Sequence, residues 1–226
     1  GLNQALDTME AVVGPETRIA SLCNGITSEQ KIAERFGWQR TVLGICQGMD
    51  AVFLNNELTY GRPGEIRFGA APDTDPAVVA DIAELYSRVG IVHVVEPDIK
   101  RRMWTKLMMN VGVNQTCMVY GGTYGSVTER GSEQRRSLVA AMREARVVAN
   151  AERIAIAEAD LSQMVELLET LDPAGMPSMA QDRIARRKTE VEEFSGTICR
   201  LAAEHGIEVP QNEWLYQRIR EIEASW

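Results

Sequence analysis

The sequence predicts an α/β domain followed by an all-α domain, and two observations carry this prediction. Residues 1–96 alternate helical patterns with short apolar and β-branched runs, the order of elements that builds α/β domains. After Pro97 no convincing strand pattern follows, and apolar residues recur only at helical spacing. This change places the boundary between a domain of residues 1–96 and a domain of residues 97–226 near Glu96-Pro97.

The first domain is predicted to alternate helices and strands. Gly37 is a helix stop signal, and the turn residues Arg62-Pro63-Gly64 inside an alternating segment predict a hairpin. The predicted helices are residues 2–13, 29–36 and 75–89, and the predicted strands are residues 18–23, 41–46, 51–54, 58–68 and 91–95.

The second domain is predicted to contain only helices, separated by glycine- and proline-containing breaks at 121–125 and 172–177. The helices are expected at about 98–119, 133–153, 160–171, 179–204 and 211–224. Within 179–204 a stripe of apolar residues recurs near every 3.6 positions, which we interpret as core packing. The stripe consists of Ile184, Val191, Phe194, Ile198 and Leu201.

The composition is typical of a folded globular chain and argues against several classes of partner. Of the 226 residues, 45% are hydrophobic and 25% are charged. The formal net charge of −8 argues against nucleic-acid and anionic membrane partners, because both need clustered Lys and Arg. No apolar run reaches the roughly 18 residues that a membrane span needs. The net charge does not argue against a small anionic substrate, because such a molecule needs only a cation at its binding site.

The four cysteines and two histidines form no pattern of a metal site. No two cysteines share a CxxC spacing, and His93 and His205 lie far apart, so we expect neither zinc nor a disulfide framework. This cysteine usage fits a reducing cytoplasm. The chain begins at Gly1 with residues 2–13 already in a helical pattern, which favours a trimmed or fragmentary chain.

Lys106, Asn110 and Asn114 form the first group that could carry chemistry. Their spacing of four and four puts one ammonium and two amides on one face of a predicted helix. Buried amides need partners, and an oxygen-rich ligand would supply them. The alternatives are that Lys106 is a surface lysine whose stem covers apolar residues and that Asn114 caps or ends the helix.

Ser178 and Glu190 form a second group. Ser178 stands where a helix should begin, so it is a natural N-cap, and a helix start can also bind an anion. Glu190 follows twelve residues later, which on a continuous helix gives nearly the same azimuth about 18 Å further along. The alternative for Glu190 is a solvated charged face.

A third feature is Asn24-Gly25, directly after a predicted strand. Ligands of open α/β sheets bind at the carboxyl ends of strands, although an Asn-Gly pair is also a common turn.

Taken together, these motifs resemble the ketopantoate reductase family, in the family's order and across nearly the whole chain. The most specific part of the resemblance consists of two segments, Pro177–Asp182 and Thr189-Glu190. The matching segments are Asn24-Gly25, Tyr60–Gly69, Trp104-x-Lys106-Leu-x-x-Asn110-x-x-x-Asn114, Pro177-Ser178-Met-x-Gln-Asp182 and Thr189-Glu190.

The resemblance implies a fold and a reaction. Residues 1–96 would be the remainder of an incomplete Rossmann-like NADP-binding domain, and residues 97–226 a helical substrate and catalytic domain similar to the C-terminal domain of 6-phosphogluconate dehydrogenase. The reaction would be NADPH-dependent reduction of 2-dehydropantoate to pantoate, a step toward coenzyme A, in the cleft between the domains. The family implies no metal.

The resemblance also assigns roles to single residues. Lys106 would be the general acid at the carbonyl oxygen, and Glu190 a second catalytic carboxylate that contacts a substrate hydroxyl. Substrate-binding positions are matched by Asn24, Asn110, Asn114 and Ser178, and Asn24 and Glu190 would also lie at the cofactor. Hydride addition builds negative charge on the ketone oxygen, which a positioned acid stabilises.

Two departures limit the match. None of the 18 glycines forms the GxGxxG turn that seats a pyrophosphate, so this chain alone should bind NADPH weakly and be inactive. Gly175 stands where many family members carry Asn. Two alternatives therefore stay open: a related reductase for another 2-keto or 3-hydroxy acid, and a non-catalytic helical interaction module. A homodimer and NAD in place of NADP also stay open.

Overall fold

A computed structural model describes residues 2–54 and 56–226, apart from the side chains of residue 50 and residues 52–54. The chain divides into two compact units, the first ending at Met103 and the second running from Trp104 to Trp226. The division falls inside a long helix, a few residues after the predicted boundary near Glu96-Pro97. A small mixed sheet followed by a helical unit confirms the predicted fold class.

The first unit is built on a four-stranded sheet in the order β1-β2-β3-β4. Strand β1 pairs with β2 in parallel, β2 with β3 antiparallel, and β3 with β4 in parallel. The strands are β1 Ile19–Ala20, β2 Thr41–Leu54, β3 Glu57–Ala70 and β4 His93–Val95, and the helices are α1 Leu2–Met9, α2 Ser28–Phe36 and α3 Pro76–Arg88.

The predicted hairpin turn at Arg62-Pro63-Gly64 is wrong. These residues lie inside β3, the two segments 41–46 and 51–54 belong to the one strand β2, and β2 pairs antiparallel with β3 along both segments. The pairing of β2 with β3 is irregular between Met49 and Ala51, and Pro63 lies opposite Met49. Pro and Gly therefore mark a bulge here and not a turn, since both residue types are typical of bulges.

The two faces of the sheet carry separate apolar clusters, because neighbouring residues of a strand point to opposite faces. Val42 and Phe68 pack with Val78 and Ile82 of α3. The other face buries Leu43 and Ile45 with Ala71, Ile99 and Met103.

The second unit is helical, as predicted. Its helices α4 and α6 approach closely at Gly112, where a Cβ atom would come within 2.5 Å of Met142 Cγ. The helices, with α4 starting before the unit boundary, are α4 Ile99–Tyr120, α5 Tyr124–Thr128, α6 Glu133–Ala151, α7 Glu158–Glu169, α8 Ser178–Ala185, α9 Thr197–His205 and α10 Pro210–Ala224, with a π-helical turn at Glu192–Gly196. None of the described helices is long and apolar enough to cross a bilayer.

The continuous helix predicted over 179–204 is wrong. Helix α8 ends at Ala185, its C-cap residue Arg186 has a φ of 49° in the left-handed region, and irregular backbone separates the helix from the π-helical turn. Ile184 is consequently 71% exposed and does not belong to the apolar stripe, whereas the other four members are buried. The sequence analysis also missed the short helix α5, which lies beside the glycine-rich break.

Candidate active site

Helix α4 carries three of the predicted site residues on one continuous helix. Lys106, Asn110 and Asn114 each lie four residues apart within Ile99–Tyr120, so successive side chains are about 6 Å apart along the axis. Asn110 is 6% exposed and Asn114 5%, whereas Lys106 is half-buried. The predicted one-face arrangement is confirmed, and the catalytic and binding roles remain predictions.

The amide of Asn114 caps the start of another helix. Its Oδ1 accepts hydrogen bonds from Ser178 Oγ at 3.0 Å and from the Met179 backbone N–H at 3.2 Å. Ser178 is therefore not the N-cap that we predicted, because Pro177 occupies that position and Ser178 is the first residue of α8. The capping oxygen comes from α4, 64 residues earlier in the chain.

The hydrogen bonds continue from Asn114 to Asn110. Asn114 Nδ2 donates to Asn110 Oδ1 at 3.3 Å, so Ser178, Asn114 and Asn110 form one connected row. Asn110 Nδ2 takes no part in the hydrogen bonds of this row. The exposed Ser178 lies at one end of the row and an amide donor at the other, an arrangement that can receive an oxygen-rich ligand.

Glu190 lies in irregular backbone between α8 and the π-helical turn. It does not share a helix with Ser178, so the expected common azimuth and the 18 Å separation are wrong. The Glu190 carbonyl accepts the backbone N–H groups of Glu193 at 2.9 Å and Phe194 at 3.2 Å. On the other side, Thr189 donates its N–H and its hydroxyl to Glu223 Oε1.

A buried polar network that the sequence analysis missed lies one residue beyond Asn114. Gln115 Oε1 accepts hydrogen bonds from Ser195 N at 3.2 Å and Ser195 Oγ at 2.5 Å. Ser195 Oγ also lies 3.2 Å from Asn212 Oδ1. Gln115 thereby ties α4 to the π-helical turn that follows Glu190. An amide residue directly after Asn114, at the end of the Lys-Asn-Asn row, was the available sequence signal.

Asn24 belongs to the first unit. It lies in the loop between β1 and α2, beside Gly25 with a φ of 94°. Ser28 at the start of α2 hydrogen-bonds with Ser21 Oγ at 2.7 Å, which joins the two ends of this loop. The loop follows a strand that pairs in parallel, so it leaves the sheet at an edge where α/β proteins bind ligands.

Burial raises the pKa of the Cys117 thiol to about 12 and also raises the pKa of Tyr124. Cys117 is therefore a neutral core residue and not a nucleophile. Within the described ranges, no group of three or more His, Cys, Asp or Glu side chains could hold a metal ion.

Solved structures define the class of fold. D-mandelate dehydrogenase, in a complex with NADH and anilino(oxo)acetate, has a TM-score of 0.89 at 21% identity, over 99% of this chain and 73% of that one. A dimeric ketopantoate reductase from Staphylococcus aureus has a TM-score of 0.87 at 20% identity, over 99% and 74%. Both comparisons show a shared fold, in which an α/β sheet is followed by a helical domain.

Within that class, the family is shown by the sequence. Residues 98–223 match the family model described as "Ketopantoate reductase PanE/ApbA C terminal", and residues 1–73 match the model described as "Ketopantoate reductase PanE/ApbA". The chain therefore belongs to the ketopantoate reductase family, and the resemblance drawn from its motifs is confirmed.

Curated relatives are similar at modest identity. The 2-dehydropantoate 2-reductase of Caulobacter vibrioides is 28% identical over 205 residues, which is 90% of this chain and 68% of the relative. That of Vibrio cholerae is 29% identical over 145 residues, 64% of this chain and 48% of the relative. The chain thus spans about half to two thirds of the length of these two relatives.

Proposed function

We propose that the protein that contains this chain reduces 2-dehydropantoate to pantoate with NADPH. The observation that carries the proposal is the hydrogen-bonded row of Asn110, Asn114 and Ser178, beside Lys106 on one helix. The exposed Ser178 hydroxyl and the Asn110 amide stand at the two ends of this row, and a hydroxylated keto acid offers several oxygens to them. The proposal puts the protein in the cytoplasm, in the pantothenate and coenzyme A pathway.

The residues present fit part of a nicotinamide site. Asn24 offers an amide at the edge of the sheet, and Glu190 offers a carboxylate in the second unit. We propose that both contact the nicotinamide end of the cofactor. The described helix starts follow no GxGxxG sequence, so these residues supply no seat for its phosphates. Bound NADPH would supply the hydride.

The chain's own residues would then hold the keto acid and move one proton. Lys106 donates a proton to the ketone oxygen as negative charge develops there, and the neighbouring Asn110 amide donates a hydrogen bond that orients the substrate. Ser178 presents its hydroxyl at the far end of the row. Glu190 accepts a hydrogen bond from a substrate hydroxyl, which selects against keto acids without one.

The test of this proposal is the substitution Lys106→Ala in the full-length enzyme. We expect kcat to fall by about 10²–10⁴, the usual range for a positioned acid–base group. Steady-state rates of NADPH oxidation with 2-dehydropantoate measure it, and melting should be little changed because Leu107 and Met108 keep their packing. A near-wild-type kcat at an unchanged melting temperature would make Lys106 a surface lysine.

Asn110→Ala provides the comparison. It removes a group that holds substrate and leaves the acid in place, so kcat/KM should fall with a milder effect on kcat. An equal loss in kcat and kcat/KM would instead mean that Asn110 acts only in the transition state.

The second candidate function is that of a related reductase for another 2-keto acid, and the glycine at position 175 supports this candidate. A Cβ atom at Gly175 would lie 3.0 Å from Tyr124 Cδ2 and 3.0 Å from the Asp172 carbonyl oxygen, so this loop has little room for the Asn of many relatives. D-mandelate dehydrogenase shares the fold and acts on a different acid. A panel of 2-keto acids, each with NADPH and with NADH, ranks the substrates and cofactors by kcat/KM.

The proposal includes a homodimer, because one protein of this fold is described as dimeric. Sedimentation equilibrium of the full-length enzyme measures the mass directly.

A further inference from the structure

The backbone around Glu190 is held from both sides, although it belongs to no regular element. After Glu190, the π-helical turn donates two N–H groups to its carbonyl oxygen. Before it, the Thr189 N–H donates to Glu223 Oε1 at 2.8 Å and the Thr189 hydroxyl donates to the same oxygen at 2.7 Å. Thr189, the residue directly before Glu190, is thereby anchored to α10 through its backbone N–H and its hydroxyl, more than thirty residues later in the chain.

Glu223 is an unusual residue for an exposed helix end. Its side chain is only 6% exposed, and its second oxygen pairs with Arg220 at 3.1 Å. A buried carboxylate is costly unless it is hydrogen-bonded and paired, and here both oxygens have partners. Glu221, two residues earlier on the same helix, is 65% exposed and pairs with Arg218. The contrast shows that Glu223 is directed inward, to Thr189.

We propose that Glu223 is a positioning residue that sets the place of the Glu190 carboxylate through Thr189. This inference rests on the proposed function, in which Glu190 contacts substrate and cofactor. With both neighbouring segments anchored, the backbone from which the Glu190 carboxylate projects is held in place within the second unit. Misplacement of a reacting group by about 1 Å can lower a rate about 10²-fold, so a distant anchor can matter for turnover.

The first experiment compares variants of the full-length enzyme with 2-dehydropantoate and NADPH. Glu223→Ala should lower kcat/KM by roughly tenfold or more. Glu223→Gln keeps a carbonyl oxygen that can accept both Thr189 hydrogen bonds, so it should recover most of that loss. Glu221→Ala is the matched control on the same helix and should leave kcat/KM unchanged. Equal values for the Ala and Gln variants at position 223 would overturn the proposal.

Thr189 gives a milder route to the same contact if Glu223→Ala folds poorly. Thr189→Val removes the hydroxyl hydrogen bond and keeps the shape, whereas Thr189→Ser restores a donor at the same position. We expect Thr189→Val to lower kcat/KM and Thr189→Ser to resemble the wild type. Loss of melting temperature without loss of kcat/KM in Thr189→Val would show a purely structural contact and refute the positioning role.

A double-mutant cycle with Glu190→Ala separates the inference from the proposed function. If Glu223 acts through Glu190, Glu223→Ala should cost little further activity once Glu190 is already Ala. Equal costs in both backgrounds would reject the positioning role while Glu190 remains a catalytic residue. Full activity of Glu190→Ala by itself would reject the proposed role of Glu190, and the inference with it.

Discussion

At the scale of single residues, two helices of the second unit begin with caps that come from other helices. Asn114 caps α8, and the Glu144 carboxylate accepts the Gln211 N–H at 2.9 Å and the Asn212 N–H at 2.8 Å at the start of α10. Neither helix has a capping side chain of its own. A cap borrowed from a distant helix satisfies orphan N–H groups and fixes where the two helices meet.

Substitution of Asn114 should therefore destabilise the protein apart from any effect on substrate. Asn114→Ala should lower the free energy of unfolding by about 1–2 kcal/mol, the usual cost of a lost cap. Asn114→Asp keeps the accepting oxygen and adds a charge that a helix N-terminus favours, so it should lose much less. Urea unfolding followed by circular dichroism measures both. Equal losses would show that the accepting oxygen is not what stabilises α8.

At the scale of elements, the long β2–β3 ribbon depends on a glycine at its irregularity. Gly64 has a φ of 73°, and a Cβ atom there would lie 2.5 Å from the Gln47 carbonyl oxygen and 2.9 Å from Met49 N. Both neighbours are backbone atoms, which cannot move without disturbing the pairing of the strands. The left-handed conformation and the close approach of the two strands both require glycine here.

Gly64→Ala and Gly90→Ala form a matched pair that separates these two requirements. Gly90 has nearly the same φ, 74°, but nothing within 4 Å of its would-be Cβ. We expect Gly90→Ala to cost about 1 kcal/mol, from the backbone conformation alone. Gly64→Ala should cost roughly 1–3 kcal/mol more, because the partner strand must shift. Thermal unfolding of the two variants gives the comparison, and equal costs would show that the ribbon adapts freely.

At the scale of the whole molecule, the chain carries the residues proposed to bind substrate, whereas its sequence has no GxGxxG turn to seat cofactor phosphates. We expect the 226-residue chain by itself to bind NADPH weakly or not at all, because no GxGxxG turn precedes a helix in its sequence. Isothermal titration calorimetry measures this, with the full-length protein as the positive control. Tight binding to the isolated chain would mean that the phosphates bind somewhere else in these 226 residues.

Much of this architecture could be predicted from the sequence alone. The alternation of short β-branched runs with helices predicted the small sheet, and the four-residue spacing placed Lys106, Asn110 and Asn114 along one helix. The motifs also identified the family. Each of these features is local or periodic. A sequence pattern within about 25 residues is therefore enough to predict it.

Tertiary structure alone decided the rest. The partner of Ser178 is Asn114, and the partner of Thr189 is Glu223, neither of which lies nearby in the sequence. The break after α8 moved Glu190 off the helix of Ser178, and the pairing with β2 turned a predicted hairpin turn into a bulge. In each case, local propensity allowed more than one conformation. Contacts between distant segments selected one of them, because buried polar groups must find partners wherever the fold provides them.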